Sequence, residues 1–123
     1  MFNVELSTAD RGGHAVIALH GELDLADVQS VASHLMTAVG AWGPSIIVDL
    51  ADLTFIDCCG LGILVRVLQW TRKCGGNMPL AAPQHRVRKV LSVTGLMDVF
   101  SVYPSVDQAA AGLGLAPLAA AAL

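Results

Sequence analysis

The segment from Ser45 to Lys73 constrains the fold most, because it joins the pattern of a buried strand to that of an amphipathic helix. The run Ile-Ile-Val at residues 46–48, followed by Leu50, shows little alternation, which is typical of a central strand covered on both faces. From residue 60 onward, apolar side chains recur at helical spacing: Leu61, Leu64, Val65 and Leu68. The segment therefore predicts a central strand and a helix that packs on its sheet.

Between the predicted strand and helix lies Asp57-Cys58-Cys59-Gly60. This tetrapeptide places one carboxylate and two thiols beside the exposed N–H groups of a helix N-terminus. If the domain has a functional site, we expect it here.

Two motifs carry a resemblance to a known family. Residues 49–62, D-L-x-x-x-x-F-I-D-C-C-G-L-G, resemble the D-S-S-G-L-G signature of anti-sigma factor antagonists, the bacterial members of the STAS domain family. Gly21-Glu22-Leu23-Asp24 is similar to a second family motif. With the element order below, the resemblance extends over about residues 2–113, and two spaced motifs are more specific than either alone.

The resemblance implies a binding module rather than an enzyme. Such a module sequesters an anti-sigma factor with serine-kinase activity and so frees a sigma factor. In the family, the partner phosphorylates the second Ser of the signature, and the added charge breaks the complex. Cys59 occupies that position here and Cys58 replaces the first Ser. A thiol is not a substrate for a serine kinase, so the chain lacks this off switch.

The resemblance also implies a partner-binding surface. Its expected members come from the two motifs and from a second apolar face of the following helix, which a monomer has no evident reason to expose. They are Gly21, Glu22, Asp24, Asp57, Cys58, Cys59, Gly60, Ile63, Val67 and Trp70. For Asp24, the spacing to Asp27 equally predicts a capping box with a purely structural role.

Other functions remain open at this stage. Cys58 and Cys59 suit a thiol redox sensor. The helix N-terminus favours the reactive thiolate, whereas the negative charge of Asp57 opposes it, so the two effects conflict. A structural STAS subunit of a larger regulatory assembly is a third alternative. A catalytic pair of a cysteine with His20 has little support, and vicinal cysteines rarely serve one tetrahedral metal ion well. We expect neither metal nor cofactor.

Composition limits the classes of protein. The 123 residues suit one domain, with residues 114–123 as an apolar tail. The net charge of -3 without a long basic run argues against nucleic-acid binding. No apolar run approaches the roughly 20 residues of a membrane span, and no signal-peptide pattern is seen at residues 1–10, so we expect a cytoplasmic protein. A homodimer stays an open alternative.

The remaining patterns predict the order ββαβαβαβα. A hairpin turns at residues 10–13, a first helix ends near Gly40, and a third helix covers residues 83–94 with its basic side chains outward. Ser105 is expected to cap the last helix. The fold class is therefore α/β and STAS-like: a mixed, mostly parallel sheet of four to five strands, with helices largely on one face.

Overall fold

The computed structural model describes residues 4–11, 14–43 and 45–113. Six strands lie in this part of the chain: β1 (Val4–Arg11), β2 (His14–Leu23), β3 (Ile46–Asp49), β4 (Leu53–Ile56), β5 (Leu80–Ala81) and β6 (Val102–Tyr103). Its four α-helices are α1 (Val28–Trp42), α2 (Cys58–Lys73), α3 (His85–Val93) and α4 (Val106–Gly112). Among these helices, none is long and apolar enough to cross a membrane.

The strands form one mixed sheet in the order β1-β2-β3-β5-β6. The first two strands form an antiparallel hairpin, and every other pairing is parallel. β3 and β4 pair with successive parts of β2: β3 with residues 15–18, and β4 with residues 21–23. The predicted mixed, mostly parallel sheet is thus confirmed.

Both faces of the central strands are covered, as the uninterrupted apolar run of β3 predicted. On one face, Ile46 and Val48 join the main core, to which α1, α2 and α3 contribute. On the other face, Ile47 packs with a smaller cluster that contains Ala109 and Ala110 of α4. These three apolar side chains of β3 are fully buried. Three helices on one face and one on the other match the predicted arrangement.

The predicted element order is wrong in one respect, because β4 was missed. A tight turn follows β3, in which the Asp49 carboxylate accepts a hydrogen bond from the N–H of Ala51 at 3.0 Å. The chain then resumes an extended course beside the end of β2. The order is ββαββαβαβα, and the sheet has six strands rather than four to five.

Several boundaries also differ from expectation. β2 continues through the Gly21 motif to Leu23, since β4 gives its last residues a hydrogen-bonding partner. α1 passes Gly40 and ends at Trp42, where Gly43 adopts a φ of 108 that favours glycine. α3 is confined to His85–Val93. Phe2, the Gly12-Gly13 turn and the tail 114–123 lie outside the described residues.

Candidate partner-binding site

The pairing of β2 with β4 brings the two sequence motifs together. Leu23, the last residue of β2, is paired with Ile56, the last residue of β4. Asp24 and Asp57 come directly after these two residues, so both carboxylates follow neighbouring strand ends. The N–H of Asp57 also donates to the carbonyl of Leu23 at 3.2 Å. The first motif (Gly21–Asp24) and the second motif (Asp57–Gly60) therefore share one edge of the sheet.

The second motif begins helix α2. Asp57 is the N-cap, and its carboxylate accepts a hydrogen bond from the N–H of Gly60 at 2.9 Å. A Cβ on Gly60 would lie 2.8 Å from the Leu23 Cγ and 3.0 Å from the Ile56 Cγ1. Only glycine lets the first turn of α2 approach both strand ends this closely. Gly60 thus allows the first turn of α2, which carries the two cysteines, to pack directly against the ends of β2 and β4.

In the first motif, Asp24 caps the start of a helix. Asp24 accepts a hydrogen bond from the N–H of Ala26 at 3.0 Å and so caps a short 3-10 helix, Leu25–Asp27. Asp27 is buried and makes no side-chain capping hydrogen bond to α1. Leu25, which was not among the predicted partner-binding residues, is 68% exposed next to Asp24. Glu22 is exposed as well.

The two thiols occupy the first turn of α2. Cys58 is exposed and Cys59 is half-buried, and both are free thiols. Partial burial raises the pKa of Cys59, and the negative charge of Asp57 and the adjacent Cys58 raise the pKa further. The opposing effects left open by the sequence therefore resolve toward the neutral thiol, which is the less reactive form.

The exposed apolar face predicted for α2 is only partly present. Val67 is fully buried, which contradicts the expectation that it is exposed. Its side chain belongs to the main core because α1 packs beside α2 and covers that flank. Ile63 is half-buried and Trp70 is 36% exposed.

A groove of about 130 Å³ separates α1 from α2. Ile63 lines one side and Met36, which is 37% exposed, lines the other. Met36 was not among the predicted site residues, and nothing in the sequence indicated this groove. Met36 thus adds to the apolar surface beside Ile63.

His20 lies away from the cysteines and contacts other residues. Its Nε2 is 3.1 Å from the Ser7 hydroxyl, and its Nδ1 is 3.0 Å from a carboxylate oxygen of Asp52. Ser7 and Asp52 are both exposed, so this chain of hydrogen bonds ties β1, β2 and the β3–β4 turn together at the surface. The geometry gives no support to a Cys–His catalytic pair.

Comparison with known proteins agrees with this arrangement. The model of the STAS domain matches residues 5–109. The chain belongs to the STAS domain family. The resemblance noted in the sequence is confirmed, and this STAS domain includes every strand and helix described above except Val4 of β1 and the last three residues of α4.

Two curated relatives illustrate the similarity. A Mycobacterium tuberculosis protein, provisionally named an anti-anti-sigma factor, is 32% identical over 108 residues, covering 84% of this chain and 72% of that protein. A Thermotoga neapolitana protein, provisionally named an anti-sigma factor antagonist homolog, is 34% identical over 64 residues. That shorter match covers 52% of this chain and only 57% of the relative's length.

Solved structures share the fold. The anti-sigma factor antagonist from Mycobacterium paratuberculosis superposes with a TM-score of 0.80 at 24% identity, covering 89% of this chain and 93% of that one. SpoIIAA, an anti-sigma factor antagonist solved in its unphosphorylated form, gives a TM-score of 0.70 at 26% identity, with coverages of 86% and 91%. The STAS-like fold class is confirmed by both.

Proposed function

We propose that this STAS domain is a binding module of the anti-sigma factor antagonist type. It sequesters an anti-sigma factor of the serine-kinase type and so releases a sigma factor. The observation that carries the proposal is the pairing of Leu23 with Ile56, which places Asp24, Asp57 and the cysteines on one surface. Relatives and structural neighbours named as anti-sigma factor antagonists support it.

The surface offers two kinds of contact to a protein partner. Glu22, Asp24 and Asp57 supply negative charge around the N-terminus of α2. Leu25 and the groove between Ile63 and Met36 supply apolar area beside it. An apolar centre next to a charged margin is the usual anatomy of a protein interface, and the charge fixes orientation and speeds association.

Cys59 determines how such a complex is regulated. In the family signature a hydroxyl stands at this position, and a phosphate there would add a charge of about -1.5 to -2 among the neighbouring carboxylates. The thiol of Cys59 cannot accept that phosphate from a serine kinase. Thr54 offers another hydroxyl, but it lies within β4 and donates to the carbonyl of Gly21 at 3.0 Å. The complex therefore stays assembled in the presence of the kinase activity.

A redox switch at Cys58 and Cys59 receives no support from the geometry. Adjacent Cα atoms lie about 3.8 Å apart across a trans peptide, whereas disulfides span about 4.4–6.8 Å. A bond between the two thiols would therefore distort the first turn of α2. The raised pKa of Cys59 also reduces the thiolate that oxidation requires.

The proposed role has consequences for location and assembly. A module that frees a sigma factor acts where transcription takes place, which is the bacterial cytoplasm. Because both motifs come from one chain, the proposed surface is complete in a single copy of the domain, without a homodimer or a larger STAS assembly.

The proposal is tested with anti-sigma factors of the source organism, purified singly and titrated against the full chain in a calorimeter. We expect one of them to bind, and Glu22→Lys to weaken that complex at least about tenfold by reversing an exposed charge in the first motif. Asp98→Lys is the matched control, since Asp98 is also exposed but lies outside both motifs. Failure of every anti-sigma factor to bind, or equal effects of the two reversals, would contradict the proposal.

A further inference from the structure

A second surface lies between β4 and α3, next to the two motifs, since Phe55 is paired with Glu22. A groove of about 320 Å³ separates β4 from α3. Ile56 and Val87 are buried at its base, and Val90 is half-buried beside them. The ring of Phe55 lines the groove and is 45% exposed. An aromatic side chain that is this exposed beside an apolar groove is typical of a surface that binds a partner.

The groove is bordered by positive charge. Arg86 and Lys89 of α3 line it, and both are exposed. The sequence of α3, H-R-V-R-K-V-L-S-V, contains no acidic residue, although the whole chain has a net charge of -3. Neither of the two ion pairs found among the described residues involves α3. The side chains that border the groove are therefore available to carboxylates of a partner.

The backbone of β4 defines the shape of the ligand. β4 pairs with β2 along one side, and no strand within the described ranges pairs with its other side. A groove between an edge strand and a helix suits an extended segment, which can add to the strand while its side chains enter the groove. The short length of β4, four residues, limits the contact to a short segment.

We propose that the groove between β4 and α3 binds an extended segment of a partner protein, in which an apolar or aromatic side chain is flanked by Asp or Glu. The apolar side chain packs against Phe55 and Val90, and the carboxylates pair with Arg86 and Lys89. Three Lys and Arg residues on one short helix provide few phosphate contacts, so nucleic acid is the less suitable ligand. The inference is independent of the proposed function, because it involves neither Cys59 nor the two aspartates.

The test uses a phage-displayed library of random peptides, selected on the immobilised full chain. Enriched sequences are synthesised with a fluorescent label, and their affinity is measured by anisotropy at low and moderate salt. The test variants are Arg86→Glu combined with Lys89→Glu, and Phe55→Ala. Lys73→Glu is the control, since Lys73 is an exposed cation in the last turn of α2. Thermal melts establish that each variant is folded.

We expect the enriched peptides to carry an apolar or aromatic residue with Asp or Glu nearby. The double charge reversal and Phe55→Ala should each weaken binding at least about tenfold, and Lys73→Glu by less than about twofold. The proposal is overturned if no peptide is enriched, or if the enriched peptides lack acidic residues. It is equally overturned if both test variants bind like the wild type, or if the groove residues are needed for binding a DNA oligonucleotide but not a peptide.

Discussion

The thiol of Cys59, in the first turn of α2, interacts with both the Asp57 carboxylate and the Cys58 thiol. Partial burial raises the pKa of this thiol, and the charge of Asp57 raises the pKa further. A raised pKa means that the neutral thiol persists to higher pH, so less thiolate is present at neutral pH than in an ordinary cysteine. At the residue scale, Cys59 is therefore mainly a neutral thiol beside the Asp57 carboxylate.

This electrostatic balance is tested by Asp57→Asn. Asparagine also serves as an N-cap, so α2 should keep its start while the charge next to Cys59 disappears. The pKa of Cys59 should fall toward its ordinary value, and alkylation by iodoacetamide at about pH 8 should become about two- to threefold faster. Mass spectrometry locates the label, and Cys74, far along the helix, reports any general change in reactivity. An unchanged rate at Cys59 would show that Asp57 does not influence this thiol.

At the scale of elements, two neighbours of α2, the sheet and α1, decide which of its side chains are buried. The spacing Leu61, Leu64, Val65 and Leu68 identified the stripe that meets the sheet, but it placed Val67 on the outside. The packing of α1 beside α2 widens the buried arc until it includes Val67 and Thr71. Periodicity along one helix cannot show which other helix will lie next to it.

Val67→Glu should therefore act on folding and not selectively on binding. A carboxylate in this fully buried position lacks any solvation, and the free energy of unfolding should fall by at least about 3 kcal/mol. Ile63→Glu, at a half-buried position on the same helix, should cost about 1 kcal/mol and instead weaken partner binding. Urea unfolding of both variants decides between these outcomes. Equal stability of Val67→Glu and the wild type would contradict the described packing.

The same limits explain what else the sequence did and did not predict. β3 was predicted from its apolar run, and Ser105 was correctly predicted to cap α4. β4 was missed because the short turn that separates it from β3 contains neither glycine nor proline. The register of β4 against β2 depends on contacts between distant parts of the chain, so it could not be predicted from local patterns.

The whole molecule is organised around that register. Because β3 and β4 share one long neighbour, the chain after β4 emerges at the end of β2, and both motifs meet at the N-terminus of α2. The sequence motifs predicted a shared surface through family resemblance, and the pairing supplies its physical cause. On the far side of β4 the basic face of α3 gives the molecule a second surface of opposite charge.

The central claim is that the position of Cys59 controls partner binding and that a thiol there removes the control. The most direct measurement is the affinity of the wild type and of Cys59→Ser for the kinase-type anti-sigma factor, before and after incubation with that kinase and ATP. The wild type should stay unphosphorylated and keep its affinity. Cys59→Ser should gain one phosphate and lose affinity at least about tenfold, because about two negative charges are added beside Asp24 and Asp57.

A thermal melt of both forms accompanies this measurement. Anions are stabilised at helix N-termini, so the phosphorylated variant should remain folded, and any loss of affinity then belongs to the interface. If the introduced serine is phosphorylated and the affinity does not fall, the assignment of this position as the switch is wrong.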